Sequence, residues 1–364
     1  MITTLEINGF RCFDHLNINH IAPITLIGGR NNSGKSAILE AIFLLIGHRN
    51  PNTYVALAMG RNGNGKLTAT PQKLWSPLFY ELDKNDSFSI AIQRETGINA
   101  ILSMRKIPDN NASLDINSEV ITGLLKQGYN PNHLNSYFYS LQYTYAINTS
   151  KSEGIFSIEN GKIHYLSKSE TLTEKVPFTR VLYFKNVYTP DNATIAEWVS
   201  RLVLEQRKQL LIDILQAFDS RISDVITVVE DGIPATFVVL KDARHMPISY
   251  MGDGINKMLQ LLLCILTSPQ GIVLIDEVEN GFHYSLYPQI LSTLYKAALQ
   301  VQCQLFITTH NIDILNDSVA VMKKEDTLQL LCYQRMNFSD GKRKAYSFSG
   351  TELETALAAE MEVR

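Results

Sequence analysis

The 364-residue sequence has few cysteines and no excess of one charge. Its four cysteines lie far apart and form no C-x-x-C pair, and they are Cys12, Cys264, Cys303 and Cys332. This spacing argues against a disulfide framework and predicts buried thiols in a reducing compartment. The formal net charge of −3 does not indicate a nucleic-acid-binding surface, although a local basic face stays open.

Long apolar runs are also absent. The most apolar run, Met258 to Leu266, is far shorter than the about 20 residues that a membrane span needs. Residues Met1 to Glu6 show no basic region followed by an apolar segment, so we expect no export signal. Internal repeats, heptad arrays and low-complexity segments are missing as well. These absences predict a cytoplasmic protein that does not partner with a membrane.

The composition that remains is typical of a large globular protein, with 45% hydrophobic and 19% charged residues. A chain of this length exceeds the usual single core, so we expect one large α/β domain with insertions, or two lobes. The predicted parts are the N-terminal half of a nucleotide-binding core, a mainly β insertion, a helical insertion, the C-terminal half of the core, and final strands with a helix. Their predicted boundaries are 1–50, 51–187, 188–222, 223–320 and 321–364.

The most informative stretch runs from Gly29 to Ser36 and has the form G-x-x-x-x-G-K-[ST]. An apolar run, Ile24 to Ile27, precedes it, and apolar residues at helical spacing follow until Gly47. Strand, glycine loop and helix are the order that a phosphate-binding loop requires, since the backbone N–H groups and the helix N-terminus then surround phosphate oxygens. Lys35 is predicted to reach the β- and γ-phosphates, and the Ser36 hydroxyl to bind Mg²⁺. The predicted nucleotide contacts are Gly29, Asn31, Asn32, Ser33, Gly34, Lys35, Ser36 and Ala37.

A second apolar strand, Ile272 to Ile275, ends in two carboxylates. Asp276 is placed to hold the Mg²⁺ that Ser36 also contacts. Glu277, one residue on, is placed to orient or deprotonate an attacking water. A third apolar strand, Leu305 to Ile307, leads to His310, and because ligands bind beyond the carboxyl ends of parallel strands, this histidine is predicted to sense the γ-phosphate.

Small residues also open a helix predicted over Ile255 to Leu266, in the stretch Ser249 to Gly254. A helix that opens in this way is a second anion site. Because the phosphate loop already holds its own nucleotide, we expect this site to face the nucleotide of another subunit.

Between the motifs the patterns are weaker. Residues 48–75 are rich in Asn, Gly and Pro and are predicted to be a loop, whereas Leu78 to Val187 shows many short strands. Its tyrosine-rich part, Tyr129 to Tyr145, favours core or partner contact over stacking on bases, since it lacks interleaved Lys or Arg. A helix is predicted from an Asp191 or Asn192 cap to Leu215, and a hairpin around Asp231-Gly232.

Together these residues resemble the ABC-type ATPase family, in the branch that contains RecF, SMC proteins, and OLD-type and related phage-defence ATPases. Gly29 to Ser36 is similar to Walker A, Ile272 to Glu277 to Walker B, Met251 to Gly254 to the signature motif, and His310 to the switch histidine. The stretch Leu5 to Phe13 looks like the branch's first strands. The resemblance implies that Arg11 approaches the nucleotide.

The resemblance also implies an ABC-type head, an α/β P-loop ATPase fold with a mainly parallel core sheet, an antiparallel β subdomain and a helical insertion. It implies that the protein binds ATP together with Mg²⁺ and that Ser36 and Asp276 bind the Mg²⁺. It also implies that ATP is hydrolysed at the interface of a head-to-tail homodimer or higher oligomer. Glu277 and His310 would be catalytic. The residues implied to act across the interface are Gly252, Asp253, Gly254, Asn280 and His283.

Three features depart from the family pattern. Gly252 stands where the signature motif normally has Ser, and His283 stands where the D-loop usually has Asp. The Q-loop glutamine has no clear match, and Gln93 is the candidate. We also expect neither the long coiled coil of SMC proteins nor the Toprim nuclease domain that follows the switch histidine in OLD nucleases, since the sequence shows no heptad array and no D-x-D pair after His310.

Three functions stay open. The favoured one is a regulatory ATPase that controls a separately encoded effector, such as a nuclease, in anti-phage defence. A RecF-like DNA-repair clamp has weak support from the basic clusters Lys323-Lys324 and Lys342 to Lys344. A scaffold locked by bound ATP is kept open by Gly252. The C-terminal segment Thr351 to Arg364 is predicted to be a helix that packs on its own domain or docks a partner.

Overall fold

The computed structural model describes residues 1–62, 71–81, 86–107, 140–159, 162–168, 180–185, 190–230, 232–339 and 341–361. The strands are β1 Ile2–Phe10, β2 Phe13–Ile18, β3 Ile24–Gly29, β4 Ser87–Arg94, β5 Asn99–Lys106, β6 Leu141–Ile147, β7 Ser150–Glu159, β8 Lys162–Lys168, β9 Val181–Phe184, β10 Ile222–Glu230, β11 Ile233–Leu240, β12 His245–Pro247, β13 Ile272–Ile275, β14 Gln304–Thr308, β15 Leu331–Ser339 and β16 Lys342–Ser349. The helices are α1 Lys35–Gly47, α2 Pro51–Asn62, α3 Pro71–Leu74, α4 Asn192–Leu204, α5 Lys208–Phe218, α6 Asp253–Leu266, α7 Tyr287–Gln300, α8 Ile312–Lys324 and α9 Gly350–Ala358.

A six-stranded core sheet has the order β16-β15-β3-β14-β13-β9. Its strands run parallel except β16, which pairs antiparallel with β15 at one edge. Both faces are covered, so β13 is apolar throughout: Ile272 and Leu274 join one hydrophobic cluster, and Val273 and Ile275 join the other. The carboxyl ends of β3, β13 and β14 therefore meet at one edge, which is where the three predicted motifs end.

A seven-stranded antiparallel sheet lies over one face of the core sheet, with the order β2-β1-β4-β5-β6-β7-β8. Helix α1 packs between the two sheets, and its apolar residues from Ala37 to Leu45 are buried, except Phe43, which is partly buried. A helix placed between two sheets needs apolar residues all round rather than along one stripe. The phosphate loop, which leads into this helix, is thus attached to a helix that is buried in the core.

Helices α4 to α8 and a three-stranded sheet, β10-β11-β12, cover the opposite face. The predicted hairpin is present, although Asp231 lies outside the described residues. In α9, Leu353 is fully buried in this cluster, whereas Met361, which follows the helix, is 60% exposed. The terminal helix therefore packs on its own domain.

Several predicted boundaries differ from the structure. Residues 48–75 are predicted to be a loop, yet α2 and α3 occupy part of them. Asn50 Oδ1 accepts from the Asn52 N–H at 3.0 Å, and Pro51 takes the first helical position. The Asn and Pro that suggested a loop therefore cap the start of α2. The helix expected up to Leu215 is two helices, α4 and α5, separated by Gln206 in a left-handed conformation (φ 56°).

The predicted division of the chain also differs from the sheets. Strand β9, which the boundary at residue 187 assigns to the β insertion, is the edge of the core sheet, while β1 and β2 belong to the antiparallel sheet. Of the tyrosine-rich stretch, Tyr143 and Tyr145 are buried, and residues 129–139 lie outside the described residues. In the described ranges, the helices are too short or too polar to cross a membrane.

Candidate nucleotide site

The phosphate loop leaves β3 and enters α1 through Gly34, whose φ is 104°. A Cβ on Gly34 would lie 2.5 Å from Phe13 Cζ, so only glycine fits both the conformation and the space. The Lys35 ammonium donates to the carbonyls of Gly29 at 2.9 Å and Arg30 at 3.1 Å. Burial lowers the pKa of Lys35, and Glu277, Asp276 and Glu279 oppose that shift. Lys35 is therefore a buried cation inside the loop, as phosphate binding requires.

Asp276, at the end of β13, is the centre of a hydrogen-bond network. Its Oδ1 accepts from Ser36 Oγ at 3.0 Å and from Thr308 Oγ1 at 2.6 Å, and its Oδ2 accepts from the Tyr183 hydroxyl at 3.3 Å. A hydroxyl and a carboxylate are hard oxygen donors that suit Mg²⁺, which keeps its other positions for water and phosphate. The predicted metal pair, Ser36 and Asp276, is thus brought together and fits the ion.

Glu277 follows in a left-handed backbone conformation, with φ 52°. Its N–H donates to Thr308 Oγ1 at 2.8 Å, and its Oε2 accepts from Asn280 Nδ2 at 2.6 Å. A non-glycine residue at positive φ is strained, and such strain is common in active sites. The predicted base is therefore held by Thr308 on one side and Asn280 on the other.

His310 lies beyond the end of β14 and is paired with a carboxylate that the sequence did not single out. Glu279 Oε1 accepts from the His310 backbone N–H at 2.9 Å and lies 2.9 Å from His310 Nδ1, and it also accepts from Thr309 Oγ1 at 2.9 Å. The Glu279 side chain is 5% exposed and the His310 side chain 51%. A carboxylate on Nδ1 fixes the tautomer and leaves Nε2 for a ligand.

The predicted interface residues lie at the surface. Gly252 and Asp253 are exposed at the start of α6, and the N–H groups of a first turn have no intrahelical partner. His283 is exposed too, and its ring accepts from the Ser285 N–H and stacks on Tyr284 with centroids 4.4 Å apart. Asn280, by contrast, contacts Glu277 of its own chain.

Arg11, which the resemblance implied to approach the nucleotide, pairs with a carboxylate of α1, and its contact with nucleotide stays a prediction. Its Nε lies 3.0 Å from Glu40 Oε2 in an ion pair that is almost fully buried, and its Nη1 donates to the Pro77 carbonyl at 2.6 Å. Lys185 Nζ is 3.6 Å from the same Glu40 carboxylate. A carboxylate buried on α1 needs cationic partners, so Arg11 has a structural role beside α1.

Gln93 is also not where the Q-loop prediction requires it. It lies on β4 in the antiparallel sheet and is exposed. The core-sheet strand beside β13 is β9, and it brings Tyr183 to Asp276. The sequence showed Val181 to Phe184 as a strand, but parallel pairing between distant segments has no local signal.

The other missed residues are Thr308, Glu279 and Arg343. Thr308 and Glu279 lie inside motifs that the sequence did identify, so their proximity to the predicted residues was a usable signal. Arg343 lies on β16, and it donates to the Cys12 carbonyl at 2.9 Å and to the Asn32 carbonyl of the phosphate loop at 3.4 Å. Nothing in its local sequence indicates that contact.

Comparisons with known proteins identify a family and a fold. Residues 4–218 match the family model described as AAA domain, and residues 144–316 match one described as AAA domain, putative AbiEii toxin, Type IV TA system. A curated relative from Helicobacter pylori, named ATP/GTP phosphatase, is 24% identical over 342 residues, which is 90% of this chain and 90% of the relative.

Solved structures with similar folds are SMC heads. The SMC head domain from Thermotoga maritima has a TM-score of 0.50 at 12% identity and covers 95% of this chain and 98% of its own. An SMC head with an extended coiled coil, bound to the C-terminal domain of ScpA derived from Pyrococcus furiosus, has a TM-score of 0.54 at 13% identity and covers 99% of both. An SMC head bound to the C-winged helix domain of ScpA has a TM-score of 0.55 at 15% identity, with 98% and 99% covered.

These structures establish the fold and not a partner. The first family model spans more than half of the chain. In the structure, Ser36 of the predicted phosphate loop meets Asp276, and Thr308 contacts both Asp276 and Glu277. The chain belongs to the AAA-domain family and is a P-loop ATPase with an SMC-head-like fold.

Proposed function

We propose that the protein hydrolyses ATP at a site completed by a second copy, and that this cycle regulates a separate effector protein in anti-phage defence. The observation that carries the proposal is the division of the site. Lys35, Asp276 and Glu277 converge on one sheet edge, while the start of α6 at Gly252 is exposed. An exposed helix N-terminus is suited to the phosphate of a neighbouring subunit.

Each side chain of the chain's own half has a defined task. Lys35 binds the β- and γ-phosphates, and Glu277 accepts the proton of the attacking water, an effect typically worth about 10²–10⁴-fold. His310, held at Nδ1 by Glu279, has Nε2 left to contact the γ-phosphate. Ser36 and Asp276 would hold Mg²⁺, which when bound would supply positive charge to balance the phosphate oxygens.

The regulatory part rests on two comparisons. The family model over residues 144–316 has a description that includes a putative AbiEii toxin of a type IV toxin–antitoxin system. Two of the similar SMC heads were solved bound to a ScpA domain. The first supports a role in a defence-type system, and the second supports contact with another protein.

The test measures the solution mass with and without ATP and Mg²⁺, together with phosphate release, for wild type and Glu277→Gln. We expect nucleotide-dependent association that Glu277→Gln retains while its phosphate release is lost. Unchanged turnover in Glu277→Gln would refute the assignment of Glu277 as the base. A permanent assembly that ignores nucleotide and releases negligible phosphate would instead favour an ATP-locked scaffold, the candidate that Gly252 in the signature motif keeps open.

A further inference from the structure

Lys257 lies in the second turn of α6 and reaches the segment that follows β13. Its ammonium donates to the Asn280 carbonyl, lies 4.9 Å from the centre of the Phe282 ring, and lies 6.0 Å from that of Phe184 at the end of β9. Its Cδ is 3.5 Å from where a Cβ on Gly281 would be. The segment 280–282 therefore wraps around this one side chain.

The residue that Lys257 holds is the residue that holds the base. Asn280 donates from Nδ2 to Glu277 Oε2 at 2.6 Å, and its backbone N–H donates to the Glu277 carbonyl at 3.1 Å. A displaced Asn280 would leave the Glu277 carboxylate free to rotate, since its other contact to Thr308 is through the backbone N–H. The contacts thus form a chain of three residues, Lys257, Asn280 and Glu277.

The charges around Lys257 fit the same role. Glu279 and Glu277 act on its ammonium and favour the charged form, while burial is the larger effect and lowers the pKa of Lys257 to about 8. His310 lies behind Glu279. The Lys257 ammonium is therefore charged at neutral pH and faces the carboxylates of Glu277 and Glu279.

We propose that Lys257 is a positioning residue that orients Glu277 through Asn280 and so couples the start of α6 to the catalytic base. The inference rests on the proposed role of Glu277 and on the proposed contact of α6 with a second copy. Closure of a second copy on Gly252 would move α6, and Lys257 would carry that movement to the base within the same chain.

The alternative is that Lys257 only balances buried charge and packs the loop. In that case Lys257→Met would change stability and leave the turnover of the folded protein intact. A positioning role instead lowers kcat with KM unchanged, because phosphate binding by Lys35 does not depend on Asn280.

The experiment measures kcat, KM and their pH dependence for Lys257→Met, Asn280→Ala and the double variant. Lys296→Met, which removes the same charge from a 56% exposed lysine on α7, is the matched control. We expect each single variant to lose about 10- to 100-fold in kcat, as for residues that orient a catalytic ligand, and the double variant to lose no more than the worse single variant. The wild-type kcat should fall above about pH 8, and this limb should be missing in Lys257→Met.

A wild-type kcat and pH profile in Lys257→Met, or additive losses in the double variant, would overturn the inference. If Lys257→Met does not fold, Asn280→Ala is the test. A wild-type kcat in Asn280→Ala would show that Lys257 does not orient Glu277 through Asn280. Glu277→Gln separates this inference from the proposed function. Retained turnover in Glu277→Gln would refute the role of Glu277 as the base. Lost turnover in Glu277→Gln together with wild-type turnover in Lys257→Met would refute only the role of Lys257.

Discussion

His310 Nδ1 lies 2.9 Å from the buried carboxylate of Glu279, which also accepts from the His310 backbone N–H. The Glu279 carboxylate thus orients both the ring and the backbone of His310. Glu279→Gln keeps an acceptor but replaces the charged carboxylate beside His310 Nδ1 with a neutral amide. We expect kcat to fall by about 10- to 100-fold, as for other residues that orient a ligand, with nucleotide affinity retained.

Steady-state phosphate release and a nucleotide titration check this prediction. Glu354→Gln is the control, since Glu354 forms an exposed pair with Lys323 and such pairs contribute little. Equal turnover in Glu279→Gln and wild type would contradict a role for the pair in catalysis.

Arg343 fastens the phosphate loop to the edge strand β16 through its bonds to the Cys12 and Asn32 carbonyls. Arg343→Ala should loosen the loop and raise KM for ATP more than it lowers kcat, because the base and the metal pair lie on other strands. A hydrogen bond from a charged donor contributes about 1.5–3 kcal/mol, which sets the upper limit of the change. Lys344→Ala, one residue along the same strand, is the control, and an equal KM in the two variants would contradict the assignment.

Gly252 has φ 87° and ψ 153°, a region that only glycine occupies without strain. Restoring the serine that the family's signature motif carries should therefore not improve the enzyme. Gly252→Ser is expected to cost about 1–3 kcal/mol of unfolding free energy, measurable by urea denaturation, with no gain in phosphate release. Wild-type stability together with faster turnover would show that the backbone there accepts a side chain.

His48 predicts how stability responds to acid. The ring is 2% exposed, lies 4.2 Å from the Tyr145 ring, and makes a hydrogen bond from Nδ1 to the Leu45 carbonyl. Burial lowers the pKa of His48 from 6.5 to about 4, with the Leu45 bond opposing the shift and Arg49 adding to it.

Because the folded pKa is the lower one, the unfolded chain binds more protons between the two values. The contribution of His48 to stability is therefore present above pH 6.5 and is lost as the pH falls through 4, amounting to about 3 kcal/mol at 1.36 kcal/mol per pKa unit. His48→Gln keeps a donor for Leu45 and does not titrate. The unfolding free energy of wild type should fall more steeply than that of His48→Gln between pH 6.5 and 4, and parallel curves would contradict the prediction.

The sequence predicted those parts of the site that are contiguous in the chain. The loop at Lys35, the carboxylates Asp276 and Glu277, and His310 each follow an apolar strand, so the common edge of parallel strands brings them together. Contacts from residues outside these motifs were not predictable. Tyr183 reaches Asp276 only because β9 pairs with β13.

Other contacts and boundaries escaped prediction for a similar reason. The partner of Arg11, Glu40, lies on α1, and no local signal in the sequence indicates their buried ion pair. The residues Asn50 and Pro51 were interpreted as loop formers, whereas the same chemistry starts α2 when the following residues, such as Tyr54, are buried. Composition signals a break in the chain, and the tertiary context decides whether that break is a loop or a cap.

The central claim is that each ATP site needs residues of two copies. The direct measurement is phosphate release from a mixture of Lys35→Ala, which lacks its own phosphate site, and Gly254→Arg, which blocks the start of α6. Among the described residues, a Cβ at Gly254 meets Phe282 Cδ1 at an ordinary contact distance of 3.8 Å, so the new side chain starts without a clash at its base. In a mixed dimer, one site combines the intact phosphate loop of one copy with the intact α6 of the other. The account predicts that the mixture releases phosphate faster than either variant alone, whereas a rate equal to their average would contradict a shared site.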